Sequence, residues 1–283
     1  MNWQILLNIS IVTYSVSVLL QRMLLKNNKS DPIAYSIVFQ LLTGILIGIY
    51  AVFKGFSTPN LVPLIPNLVL MTILYGAGNV FIFSALKMVD ASEFTIVFVS
   101  RALWTIIGAI IFLKESFSAQ QALGTFLIIV SVILVSWKKQ KFTFSEGFIF
   151  SVLAGLFFGF GFINDAFILN NFDAPSYLTI IFIIPSLAIW VIYPKSTVKM
   201  KPLFEKKTLM KLGLLGILYA ISAITIFLAY QVGKNASQIA SLGQTATIIT
   251  IVLSVVFLRE RSDLLKKLIG AIISFIGVVL IIQ

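Results

Sequence analysis

The chain reads as long apolar runs divided by short polar links. A helix that crosses the hydrocarbon core of a bilayer needs ~20 mostly apolar residues, because each residue advances ~1.5 Å. By that measure the pattern predicts about ten crossings: Trp3–Leu20, Ile33–Phe53, Leu64–Leu86, Ala91–Leu113, Phe117–Trp137, Gly147–Leu169, Tyr177–Tyr193, Leu212–Val232, Ser237–Leu258 and Leu265–Ile282. The third and fourth runs are joined tightly around Asp90, and the eighth and ninth around Lys234-Asn235, residue types that suit turns and helix caps. Lys138–Glu146 is a short basic link, and Pro194–Lys211 is the one long polar link. Pro185 falls inside the seventh run and is expected to kink it.

The pattern repeats. Ala91-Ser92-Glu93 opens an apolar run that ends Phe112-Leu113-Lys114-Glu115, followed by a short link and a second run from Ala122. About 145 residues further on, Ala236-Ser237-Gln238 opens a run that ends Phe257-Leu258-Arg259-Glu260, again followed by a link and a run from Leu268. Thr105-Ile106 matches Thr250-Ile251; with one residue inserted in the link, Gly124 matches Gly270 and Leu134 matches Leu280. Upstream, Ile73-Leu74-Tyr75 echoes Ile217-Leu218-Tyr219, and Phe83 echoes Phe227. The echo covers the last three runs of each half and is not visible in the first two. A repeated unit of five crossings, an odd number, enters the membrane upside down in its second copy. The expected fold is therefore an all-α integral membrane protein of ten transmembrane helices, built as two inverted five-helix repeats, residues 1–140 and 141–283. In secondary transporters of this architecture the substrate site lies near mid-membrane between the copies.

Composition agrees with lipid as the solvent. Of 283 residues, 59% are hydrophobic and 11% charged, where a soluble domain carries about 25% charge. The net charge of +11 does not point to nucleic acid, because the lysines sit at the ends of apolar runs rather than on one polar face. With no Cys and no His, disulfides, thiolate chemistry, the usual zinc sites and the commonest proton shuttle drop out. No metal or cofactor is expected. No cleavable signal is evident, so the first run is expected to be the first span. Lys and Arg gather on one side of the ten runs, with only Lys54, Lys114 and Lys234 on the other. That bias predicts a cytoplasmic basic side and both termini outside, in a multi-pass protein of the plasma (inner) membrane.

Arg101 is the most informative residue, a cation near the middle of the fourth run. A charge at that depth costs ~2.5–3.5 kcal/mol even on insertion scales, so it should face a cavity or a partner. Helical spacing puts Phe94, Phe98, Thr105 and Gly108 on its face, with Trp104 alongside. A guanidinium beside an aromatic wall can hold a carboxylate or phosphate; the plainer role is a structural Arg bonded to neighbouring carbonyls. The match to Arg101 in the second copy is Ala246, and that run instead carries Ser237, Ser241, Gln244 and Thr247 at helical spacing. Ser10, Tyr14, Ser17 and Gln21 form a stripe on the first run, and Ser36, Gln40 and Thr43 on the second. Such stripes serve as interhelical glue or, where several converge, as the lining of a polar path. Asp165, beside Asn164 near the end of the sixth run, is a candidate proton-coupling carboxylate or a headgroup-level residue. Glu93 suits the start of a helix dipole, and Glu115 and Glu260 suit capping of the helices that follow them. Gly44 and Gly48, and Gly155 and Gly159, are spaced for close helix packing.

The duplicated pattern of Ala-Ser-x, apolar span, Phe-Leu-basic-Glu, link and Gly-bearing span, at the fourth–fifth and ninth–tenth runs, resembles the drug/metabolite transporter superfamily in its ten-span EamA-type branch. The motif-bearing part is about a third of the chain. The resemblance implies a central cavity, alternating access, and export or exchange of amino acids, drugs or nucleotide-linked and lipid-linked sugars. It also implies termini in the cytoplasm, opposite to the charge count. The expected function is a secondary transporter of a small metabolite, not an enzyme, working as a monomer or homodimer. Its substrate would be lined by Arg101, Trp104, Tyr75, Asn79, Gln244, Tyr219, Gln40 and Tyr14. The alternative is a non-transporting scaffold with a dry core.

Overall fold

A computed structural model describes residues 2–26, 31–113, 118–138, 141–142, 144–169, 172–233, 242–243, 245–260 and 262–282. Helix α1 spans Trp3–Leu25 and α2 Pro32–Lys54; a 3-10 turn at Val62–Leu64 leads into α3, Ile65–Met88. The fourth crossing is split into α4, Ala91–Phe98, and α5, Arg101–Leu113. Helices α6, Ala119–Ser136, α7, Glu146–Ile168, and α8, Ala174–Ile192, follow. A short α9, Ser196–Met200, occupies the long polar link. Helix α10 spans Lys206–Gly233, α11 Thr245–Leu253 with a π turn at Ser254–Leu258, and α12 Leu264–Ile282. Apart from a two-residue ladder between Trp137–Lys138 and Lys141–Phe142, the described regular structure is helical.

Among the described residues eight of these segments are long and apolar enough to cross a membrane, and two shorter apolar helices, Ala119–Val135 and Thr245–Leu258, lie where the fifth and ninth runs were expected. The helix boundaries follow from local chemistry. The Asp31 carboxylate accepts from Ala34 N and Pro32 opens α2; Asp173 accepts from Ser176 N with Pro175 in the first turn of α8. Gly55, at φ +93°, ends α2 in the left-handed conformation that glycine adopts without a Cβ penalty. Pro185 sits within the single helix α8. Much of what the fold exposes is apolar, including Phe53, Val191, Phe257 and Leu265. A contiguous apolar exterior of this extent marks a lipid-facing surface.

Packing reveals the repeat over all five crossings. Helix α1 packs on α10 as α7 packs on α3; α10 meets α2 as α3 meets α8; α1 meets α11 as α7 meets α4 and α5. The pairs α2 with α8 and α6 with α12 join equivalent helices of the two halves. Exchanging each crossing with the one five places later leaves this set of partners unchanged. Because five is odd, equivalent helices run antiparallel, and the halves are inverted. The first two crossings of each half, where the sequence echo fades, obey the same exchange. At the α6–α12 crossing the backbones nearly touch: a Cβ on Gly124 would lie 2.5 Å from the Gly277 carbonyl oxygen.

Contacts between helix ends agree with this parity. Arg22 at the end of α1 pairs with Glu260 between α11 and α12, and Asp31 before α2 pairs with Lys199 in α9 at 2.7 Å. Each pair is separated by an even number of crossings, so each lies on one face. The link expected around Lys234-Asn235 and the cap expected at Glu115 lie outside the described residues.

Candidate functional site

Arg101 stands where the fourth crossing breaks. Val99 N bonds to Ile96 O and Ser100 N to Val97 O, both at the tight i to i−3 spacing, and Ala102 N and Leu103 N continue that spacing to Val99 and Ser100. The glycines of α7 make room for the break. A Cβ on Gly155 would lie 2.7 Å from Ser100 Oγ; one on Gly159 would lie 2.6 Å from both Arg101 O and Trp104 Cβ. Thr105 Oγ1 donates to Arg101 O at 3.0 Å and to Gly159 O at 3.2 Å, binding α5 to α7. The small-residue spacing in α7 thus has a definite use: it seats the helix segment that carries the charge.

The Arg101 guanidinium lies over the Phe98 ring at 4.9 Å and the Phe162 ring at 5.6 Å from the centroids, within cation–π range. Among the described residues no carboxylate pairs with it. Its charge reaches the phenols of Tyr14, Tyr75 and Tyr219, carried by α1, α3 and α10. The rings of Tyr14 and Tyr219 are 6.1 Å apart, and Tyr219 also packs edge-on to Phe39 at 5.0 Å. Trp104 is half-buried, and its Nε1 has no hydrogen-bond partner among the described residues. Of the eight residues expected at the substrate, Arg101 and Trp104 share the first turn of α5, and Tyr14 and Tyr219 pack on each other across α1 and α10. Tyr75 and Tyr219, matched in the repeat, both come within reach of the one unduplicated charge.

Asn79 and Gln40 are placed otherwise. Both are buried and satisfied by each other: Asn79 Nδ2 donates to Gln40 Oε1 at 3.2 Å and to Tyr75 O at 2.8 Å. Gln40 Nε2 donates to Ser36 Oγ at 2.9 Å. In the stripe of α2, Gln40 thus bonds across to α3, while Thr43 Oγ1 has no hydrogen-bond partner among the described residues; part of the stripe on α1 is paired too, where Ser10 Oγ donates to Ser222 O at 3.0 Å. Gln244, Ser237 and Ser241 lie outside the described residues. A cavity of about 340 Å³ is lined by Val130, Ile133, Leu134 and Lys266 and shares no residue with the Arg101 cluster.

Asp165, one turn from the end of α7, is buried. Its two oxygens accept from Tyr75 Oη at 2.6 Å and Tyr177 Oη at 2.5 Å. The first turns of α8 and the middle of α3 close over it, which the position of Asp165 in its own run does not convey. Beside it, Asn67 Nδ2 donates to Asn164 Oδ1 at 2.8 Å. A chain of ring contacts links this carboxylate to the cation: Tyr75 meets Phe158 at 5.0 Å, Phe158 meets Phe98 at 5.5 Å, and Arg101 covers Phe98.

Glu260 also departs from expectation. It does not cap the helix that follows it; its Oε2 accepts from Ala91 N at 3.0 Å, capping α4 in the other half. Asp90, next to that cap, turns its carboxylate to Lys267 at 2.8 Å instead. Sequence reasoning missed Tyr177, Asn67, the break at Val99–Ser100 and this charge group. One available signal was the shared Asp, Pro and Tyr at Asp31, Pro32, Tyr35 and Asp173, Pro175, Tyr177, which aligns α2 with α8.

A family model described as the EamA-like transporter family matches residues 1–137 and again 145–283. Twenty-eight chains of solved structures match the fold. One, titled only as the crystal structure of a protein, superposes with a TM-score of 0.59 at 12% identity, covering 98% of this chain and 95% of its own. At that identity the likeness concerns the fold alone. No curated protein sequence matches significantly.

Proposed function

From a chain that belongs to the EamA-like transporter family, and so is a multi-pass membrane transporter of the drug/metabolite type, we propose a secondary transporter that moves a small anionic or amphipathic metabolite by alternating access. The family consists of transporters, not enzymes. The observation that carries the reading is Arg101: a mid-span cation, at a helix break, with phenols from α1, α3 and α10 in range and no carboxylate partner among the described residues. A substrate carboxylate or phosphate supplies the missing anion, and Phe98, Phe162 and Trp104 take its apolar part. The space for it lies between residues 1–140 and 141–283. Tyr14, Tyr75 and Tyr219 offer hydroxyls to orient it, and Asp165, held by Tyr75, takes and releases the coupling proton. The Lys and Arg bias places the basic face in the cytoplasm of a plasma membrane, with both termini opposite.

The test is a thermal-shift screen of purified protein against a panel of carboxylates, phosphates and their neutral analogues. A ligand that binds only the native state raises the apparent melting temperature. Anions are expected to stabilise the native chain and not Arg101→Gln, while Arg101→Gln still elutes as a folded species. Equal stabilisation of both removes Arg101 from the site. The scaffold alternative draws on the paired stripes of α1 and α2. It requires that single cysteines at Ser241 and Gln244 stay silent to a water-soluble thiol reagent, and labelling at either refutes it.

A further inference from the structure

Four buried or half-buried charges meet at the basic face, where the first half touches the second. Glu260 Oε1 accepts from Arg22 Nε at 3.2 Å and Oε2 from Ala91 N at 3.0 Å. Arg22 Nη1 donates to Leu86 O at 2.7 Å and Lys87 O at 2.9 Å, the open carbonyls at the end of α3. Asp90 Oδ2 accepts from Lys267 Nζ at 2.8 Å and Ser262 Oγ at 3.0 Å, and Asp90 Oδ1 lies 3.7 Å from Arg22 Nη2. Two cations and two anions cancel. Arg22, Glu260 and Lys267 are each under a tenth exposed, although they lie at the polar ends of their helices, where water is near.

The backbone is bent to achieve this. A π turn closes α11, Glu260 N bonds to Ser254 O, and Arg259 and Asp263 on either side take φ of 56° and 50°. Residues with a Cβ adopt that region only where their surroundings hold them there. The loop is held in this shape with Glu260 under the first amide of α4. That helix has only eight residues and ends at the Val99–Ser100 break, beyond which Arg101 begins α5.

We propose that Glu260 is the keystone of a gate that closes the path between the Arg101 site and the basic face, with α4 as the moving half-helix and Val99–Ser100 as its hinge. This rests on the reading of the chain as an alternating-access transporter. In the structure the gate is shut: one carboxylate ties the end of α1 and the start of α4 to the α11–α12 junction, and Arg22 extends the tie to the end of α3. Burial first, and the charge of Asp90 second, push the Glu260 carboxyl above its ordinary value, and Arg22 and Lys267 oppose that rise only in part. Releasing Glu260 frees Ala91 N and the Arg22 Nε contact at once, and α4 can then swing without disturbing α5, which Thr105 holds to α7.

The native chain has no cysteine, so one can be added as a reporter. Ser92, fully buried in the first turn of α4, is replaced by Cys, a near-isostere, and its reaction with a charged, water-soluble maleimide is timed in nanodiscs. The expected result is slow labelling of Ser92→Cys, and labelling at least about tenfold faster when Glu260→Gln is added. Lys199→Gln, which breaks an ion pair on the same face outside the network, should leave the rate unchanged. Arg22→Lys keeps the charge but loses the fork to Leu86 and Lys87, and should also speed labelling; it decides the matter if Glu260→Gln does not fold. An unchanged rate in the folded variants, or equal acceleration by Lys199→Gln, overturns the gate. No solute enters this assay, so its failure is separate from failure of the Arg101 screen.

Discussion

Gly159→Ala should separate close packing from mere tolerance of small residues. The added Cβ would lie 2.6 Å from Arg101 O, 2.6 Å from Trp104 Cβ and 3.1 Å from Thr105 N. Carbon atoms in contact rest ~3.5–4.0 Å apart, so α7 and the α4–α5 break must part by roughly 1 Å. Two of the three atoms are backbone, and no rotamer change relieves them. Overpacking of this kind costs about 1–3 kcal/mol. Part of that cost is offset by the gain of about 0.5–1 kcal/mol that Ala brings over Gly inside a helix. The net loss is then of the order of 1–2 kcal/mol, roughly 2–8 °C in melting temperature at ~2–4 °C per kcal/mol. The control is Gly213→Ala in α10, where the new Cβ meets nothing within 4 Å; it should gain the propensity term of about 0.5–1 kcal/mol and melt slightly higher. Both variants are read by thermal unfolding of purified protein in one detergent. A Gly159→Ala protein that melts as high as Gly213→Ala would refute the geometry, because the helices would then not be in contact at the break. Since the displaced atoms include the Arg101 carbonyl, any ligand found to need Arg101 should also bind Gly159→Ala more weakly.

Tyr177→Phe should cost about 1.5–3 kcal/mol of stability, the value of a hydrogen bond to a charged group, and in a double-mutant cycle with Asp165→Asn the two losses should fall short of additive; strict additivity would mean that the phenol does not serve the carboxylate. If Asp165 couples transport to protons, uptake by the native chain should vary with pH and uptake by folded Asp165→Asn should not. Asp31 and Asp173 are each opposed by burial, yet the Lys199 ammonium and Ala34 amide at Asp31, and the Ser176 and Ser57 groups at Asp173, hold both carboxyls below the ordinary value. A lowered carboxyl contributes stability that is complete above its unfolded value, about pH 4, and lost as pH falls through the folded value. The melting temperature should therefore fall on acidification below about pH 4, and Asp31→Asn should flatten that fall; an identical slope in the variant would remove Asp31 from it.

The sequence by itself determined the class, the crossings and the duplication. Runs of ~20 apolar residues have one stable outcome in lipid, because each backbone amide must be paired within its own helix. That constraint is local, and it carries Trp3, Pro32, Ala91 and Leu264 to the starts of helices close to where the runs begin. Arg101 was legible for the same reason, since a charge at mid-run has few places to go. The tertiary structure decided which polar groups meet. Gln40 and Asn79, 39 residues apart, satisfy each other, while the rings of Tyr14 and Tyr219, 205 apart, pack on one another. Asp165 became a buried group only when α3 and α8 closed over it, and Glu260 found its amide in the opposite half, 169 residues away. Such pairings depend on how helix faces rotate against one another and on where glycines such as Gly155 and Gly159 let backbones approach. Apolar periodicity says little about that rotation in lipid, because here the outside of the protein is as apolar as its core.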